Sequence, residues 1–234
     1  MEALVGAIQR GEVEELRGML AGNAELARAV IWDENGVGRT LLHVATDWPG
    51  HYPRVAETIA VLIEAGADVN ARVRLEKVGA NETPLHWAAS SDDVEAVDAL
   101  LDGGADIEAE GAVFTGGAAM SDAVIFAQWK AARRLLERGA RTTLTQAAAL
   151  GLLDRVGEMV AREGPGQEEM TKALWHACRG GQLETARFLV ERGGDLRWVG
   201  WDRLTPVDAA RKSGNMELAQ WAQARAGRCI NTSV

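Results

Sequence analysis

The sequence predicts an all-α fold, a solenoid of stacked helix pairs, on three observations. A motif returns along the chain as Thr40-Leu41-Leu42-His43-Val44-Ala45, Thr83-Pro84-Leu85-His86-Trp87-Ala88 and Thr205-Pro206-Val207-Asp208-Ala209-Ala210. A second stretch follows the first two copies, as Leu62-Ile63-Glu64-Ala65-Gly66-Ala67-Asp68 and Leu100-Leu101-Asp102-Gly103-Gly104-Ala105-Asp106. Between the two stretches, Val94, Val97, Leu100 and Leu101 recur at helical spacing. Self-similarity with a period in the low thirties marks a repeat array, in which one unit cannot bury its own apolar faces and neighbours must stack.

Each element of a unit has a local cause. In Thr83-Pro84-Leu85-His86 the threonine is a natural N-cap, and the proline takes the first helical position, where its missing N–H costs nothing. A short helix follows through Ser90-Ser91, then a longer one with a single apolar face. Gly103-Gly104 ends it, glycine being the residue that accepts a left-handed conformation at a helix C-terminus. Ala105-Asp106-Ile107 leads into an extended segment before the next pair.

These motifs resemble the ankyrin repeat family over nearly the whole chain. The resemblance implies two antiparallel helices and a β-hairpin finger per repeat, in about seven units forming one domain over residues 1–227. An N-terminal cap is expected at 1–30, repeats across 34–199, a C-terminal cap at 200–226, and a flexible tail at 228–234. Departures from the pattern stand out. Pro49-Gly50-His51-Tyr52-Pro53 is inserted between two helices, and Val73 to Lys77 lengthen a finger. Ala118-Ala119-Met120-Ser121 replaces the motif in the fourth unit, and Thr142-Thr143 follow Ala140 with almost no finger between. Insertions in such arrays map to the working face.

Composition narrows the function. Charged residues make up 25% and hydrophobic ones 47%, with no apolar run of membrane-spanning length, so no membrane partner is expected. The net charge of −9 argues against nucleic acid, whose binding neutralises phosphates, and suits a basic or neutral partner. An acid at Glu2 stands where a secretory signal carries basic residues, and Cys178 and Cys229 form no disulfide or metal-ligand pattern. A cytoplasmic protein without metal or cofactor is expected. Alanine and glycine richness, with arginine favoured over lysine, is associated with bacterial sequences of high GC content. Phosphate-binding glycine loops and nucleophile elbows are missing from the sequence.

The family resemblance implies that the first helix of each pair lines a concave face together with the fingers. The residue after the motif histidine, and those three and four further on, share one side of that helix. This places Asp47 and Trp48, then Trp87, then Asp122 and Phe126, then His176 on the groove, with Trp201 and Phe114 at finger tips. Gln146 is read as the groove position of the fifth unit, and Arg179 and Gly180 join His176 in the sixth. Trp32, Trp129 and Trp221 are assigned to packing, and Trp175, which replaces a motif histidine, to structure. The family's motif histidines brace neighbouring repeats, so His43 and His86 are expected to do that and not catalysis.

Eight tryptophans against one tyrosine and three phenylalanines supply ring faces, and the nearby acids supply counter-charge, which is what a cation needs. The expected function is a non-enzymatic protein-interaction module that takes a partner segment, basic or aromatic in character, in an aromatic- and acid-lined groove. The alternative is a pocket for a small hydrophobic or cationic molecule, or an enzyme using Asp122 and His176 as an acid–base pair. On that alternative the two backbones stand on the order of 16–20 Å apart, two interhelical spacings, too far for a direct hydrogen bond.

Overall fold

A computed structural model describes residues 1–75 and 81–228. Glu76 and Lys77 of the lengthened finger, and residues 229–234 of the tail expected at 228–234, lie outside the described residues, whereas Arg228 ends the last helix. Among the described residues the chain forms seven helix pairs. They are α1 Glu2–Arg10 with α2 Val13–Gly22, α3 Leu41–Thr46 with α4 Val55–Glu64, α5 Pro84–Ser90 with α6 Val94–Asp102, and α7 Ala119–Ile125 with α8 Trp129–Glu137. The series continues with α9 Leu144–Leu150 and α10 Leu153–Glu163, α11 Gln167–Arg179 and α12 Leu183–Glu191, and α13 Pro206–Lys212 and α14 Met216–Arg228. This is the all-α ankyrin-repeat solenoid that the repeat pattern predicts. The chain divides into two compact units, Met1–Arg141 and Thr142–Val234.

In the first unit, inner helices α1, α3, α5 and α7 pack in succession, as do outer helices α2, α4, α6 and α8. The inner helices are short and carry fully buried alanines, Ala45, Ala88, Ala89 and Ala123, which lets them approach closely. Leu41, Leu42, Leu62, Leu85, Leu100 and Leu135 fill the space between the two rows. Capping does what the motif threonines predict. Thr40 accepts at its hydroxyl from the His43 amide, and the His86 ring accepts at Nδ1 from the Thr83 amide at 3.1 Å. Gly11 turns the chain between α1 and α2 with φ +68°, and a side chain there would strike the Pro53 carbonyl, so the position needs glycine twice over.

Strands are fewer than one hairpin per finger. Among the described residues, strand pairing is confined to β1 Val30–Trp32, β2 Val37–Thr40 and β3 Arg74–Leu75, in the order β1-β2-β3. Asp33 folds the first hairpin by accepting at one carboxylate oxygen from the amides of Asn35 and Val37, each at 2.9 Å. Later fingers are side-chain-stabilised turns. Asp68, Asp106 and Asp195 each accept from the amide two residues on. Successive fingers are tied by the Asp106 amide donating to Asn70 at 2.8 Å, and by Arg72 donating to the carbonyls of Asn81 and Glu110, each at 2.6 Å.

The second unit stacks α9, α11 and α13, with α10 against α12. Its core is built from Ala147, Val156, Leu174, Trp175, Leu189, Val207 and Leu218. No helix among the described residues is long and apolar enough to cross a membrane.

Candidate functional site

The histidines do structural work, and geometry shows how. His43 Nδ1 lies 2.9 Å from the Thr40 hydroxyl and Nε2 lies 3.2 Å from the Glu82 carbonyl, at the start of the next repeat. His86 repeats the arrangement with Thr83 and with the Gly117 carbonyl at 3.2 Å. Because Nδ1 of His86 accepts from the Thr83 amide, Nε2 carries the proton and donates forward. Burial pushes His43 down to about 4 and lowers His86 too, so both rings are neutral around pH 7. In the second unit Trp175 takes the same role, its Nε1–H donating to the Leu204 carbonyl at 3.0 Å.

Trp87, one residue past the brace, is half-buried, with its edge on His43 at 5.0 Å between ring centroids. Its Nε1–H donates to Glu82 Oε2 at 3.1 Å. Glu82 was missed by the motif reading, although its place just before Thr83 sets it five residues from Trp87. Asp122 takes the equivalent position on α7, but the structure buries it completely. Neither of its oxygens has a hydrogen-bond partner among the described residues. Burial, with the charge of Glu82 adding to it, pushes this carboxyl up to about 8. Instead of a surface charge, the position holds a protonated, enclosed acid at neutral pH.

Trp48 is 80% exposed. The inserted segment does not cover it. The His51 amide instead donates to Asp93 Oδ2 at 2.6 Å and the His51 ring meets the Ser91 carbonyl at 3.1 Å, docking the insertion on the loop of the following repeat. Asp47 beside it is ion-paired to Arg39 at 2.6 Å and accepts from the Trp48 amide. Its carboxyl is raised by burial, with Arg39 opposing. Phe126, 42% exposed, meets finger residue Phe114, 68% exposed, edge to face at 5.9 Å. Trp32, assigned to packing by sequence, has half its surface exposed, lying against Gly38 across the first hairpin.

His176 and Trp201 belong to the second unit. His176 is 8% exposed, its Nδ1 has no partner among the described residues, and burial with the nearby Arg179 charge lowers it to about 4. Trp201 is 48% exposed and stands 5.2 Å, centroid to centroid, from both Trp175 and His176. The two groups of the alternative acid–base pair, Asp122 and His176, thus fall in different units, each closed to solvent. Gln146 occupies the capping position of α9, its side-chain oxygen accepting from the Thr143 amide at 2.8 Å, so Ala147 holds the place after it.

A depression of about 500 Å³ lies away from these rings, between α4 and α6, with Ala56, Ala60 and Ala99 on its floor. Three of its four acids are already ion-paired: Glu64 with Arg17, Asp98 with Arg134 and Arg138, and Asp102 with Arg138. Among the described residues no group of three or more histidines, cysteines and acids is placed to hold a metal ion.

Comparison with known proteins agrees with this architecture. The ankyrin repeat profile matches residues 37–74 and 81–112. The chain is 28% identical over 165 residues to the ankyrin repeat and KH domain-containing protein mask-1 of Caenorhabditis elegans; the match takes in 70% of this chain and spans 5% of that protein's length. The crystal structure of the human ASB11 ankyrin repeat domain is similar in fold, with a TM-score of 0.53 at 21% identity, over 94% of this chain and 96% of that one. Ankyrin repeat domains are generally protein-interaction modules. Two repeats matched by the profile, and helix pairs on the same plan flanking them, together support the ankyrin repeat family for this chain.

Proposed function

We propose that the first unit is a protein-interaction module that binds a partner segment across Trp48 and Trp87, with Phe126 as a wall and acid supplied by Glu82 and Asp47. The observation that carries this reading is Trp48, a large apolar ring left 80% in water while the adjoining insertion packs elsewhere. Large exposed apolar side chains that form a patch mark interaction surfaces, and buried tryptophans dominate the energetics of such contacts. A basic side chain suits the site because Trp87 offers a ring face and Glu82, held by the indole, offers the negative charge. Asp122 then serves from beneath, as an acid near enough to Glu82 to feel its charge. We place the protein in a reducing cytoplasm, in keeping with the free, buried Cys178, and read it as bacterial.

The test is selection of random peptides displayed against the full chain. Lysine, arginine and aromatic residues should be enriched, and Trp87→Ala should weaken a selected peptide by about 2 kcal/mol or more with its helix content unchanged. Selected peptides indifferent to both Trp48→Ala and Trp87→Ala would remove this face from the proposal.

A further inference from the structure

The second unit carries its own cluster of aromatic rings. Trp175, His176 and Trp201 form a triangle of rings, each pair of centroids 5.2 Å apart, and Trp198 extends it 5.4 Å beyond Trp201. The loop that lays Trp201 on this cluster passes through Gly200, where a side chain would run into the Trp198 ring. Over the Trp175 face, with its guanidinium carbon 5.4 Å from the ring centroid, lies Arg179.

Arg179 is half-buried and has no hydrogen bond or ion pair among the described residues. That is unusual here. The chain has 34 acids to 25 basic residues, and the other half-buried arginine of this unit, Arg187, is paired with Glu184 at 3.0 Å and faces Glu217 at 3.8 Å. A partly desolvated cation without a counter-charge is costly, and a ligand carboxylate would recover that cost. Next to it, on the same face of α11, His176 keeps a buried Nδ1 without a partner. Trp201, 48% exposed, stands 5.2 Å from the same Trp175 ring that Arg179 lies over and offers an apolar surface.

We propose that Arg179, set beside the cluster that carries Trp201, recognises an acidic peptide segment, with a carboxylate side chain on the guanidinium and apolar neighbours on the indole. The site is independent of the surface proposed for the first unit and selects the opposite charge.

The test uses two peptides that differ by one charge, acetyl-Phe-Glu-Phe-amide and acetyl-Phe-Gln-Phe-amide, titrated into the full chain. Binding is read by NMR at the Trp201 indole N–H and the Arg179 Nε–H. The glutamate peptide should bind about tenfold tighter than the glutamine peptide, the scale of one charge-assisted hydrogen bond, and this preference should shrink with added salt. Arg179→Gln should abolish the preference, and Arg179→Lys, which keeps the charge and guards against a folding defect, should retain part of it. Equal binding of the two peptides, no shift at Trp201, or a preference that survives in Arg179→Gln would each overturn the proposal. None of these results bears on Trp48 or Trp87, so the two surfaces stand or fall separately.

Discussion

Asp122 shows how a single residue can be placed correctly along the chain and still be misread. Helical spacing assigns it to a face, but α7 is seven residues long and every residue from Ala119 to Val124 is buried. A short helix enclosed on all sides has no exposed face for periodicity to report. The same holds for α3, buried from Leu41 to Thr46. The acid has a measurable consequence. Its folded-state carboxyl sits near 8, against an ordinary value of about 4. A raised carboxyl favours the native state below the ordinary value, and that contribution is lost as pH rises through the raised one. Asp122→Asn removes this dependence. Its stability relative to the parent should improve by roughly 1.4 kcal/mol per pH unit from about pH 4 to about pH 8, then level off. Urea denaturation of both proteins across that range checks it, and a flat difference would mean that the carboxyl ionises freely.

At the scale of the element, the brace is the recurring device, and its chemistry matters more than its letter. A ring N–H at a set place on the inner helix reaches a carbonyl of the next repeat, whether the ring is His43, His86 or Trp175. Trp175→Phe keeps a ring in the core but removes the donor. It should lower stability by about 0.5–1.5 kcal/mol, the net worth of one hydrogen bond, because the Leu204 carbonyl still accepts from the Gly200 amide at 2.9 Å. An unchanged urea midpoint would show that the hydrogen bond contributes nothing there. Threonine caps and glycine stops were legible because each acts through its own backbone. The docking of the Gly50–Arg54 insertion on Ser91 and Asp93 was not, because its partners lie about forty residues away and carry no periodic signal. Glu82 escaped for a similar reason, since only the turn of the chain into α5 brings it under the Trp87 indole.

For the whole molecule, the repeat number and helix order were readable because each unit reuses the same local rules. The division between Arg141 and Thr142 falls where the sequence all but omits a finger, the feature that elsewhere ties repeats together through Asn70 and Arg72. Stability in such arrays is a sum of unit and nearest-neighbour terms, so damage stays local. Leu174→Ala opens a cavity in the second unit's core and should cost about 2–5 kcal/mol. Hydrogen exchange should quicken most in the helices from α9 to α14, and less in those from α1 to α8. Uniform quickening along the chain would show one cooperative block in place of separable units.

The forward reach of the braces also gives the chain a direction in time. Each ring waits for a carbonyl that lies later in the sequence: 39 residues on for His43, 31 for His86 and 29 for Trp175. As a ribosome releases the protein from its N-terminus, a helix pair can form on its own residues, but it locks only when the opening of its successor emerges. At these three repeats, synthesis therefore leaves the newest one unlatched until its successor opens, and a pause in translation there would expose that repeat, not the whole array, to proteases and chaperones.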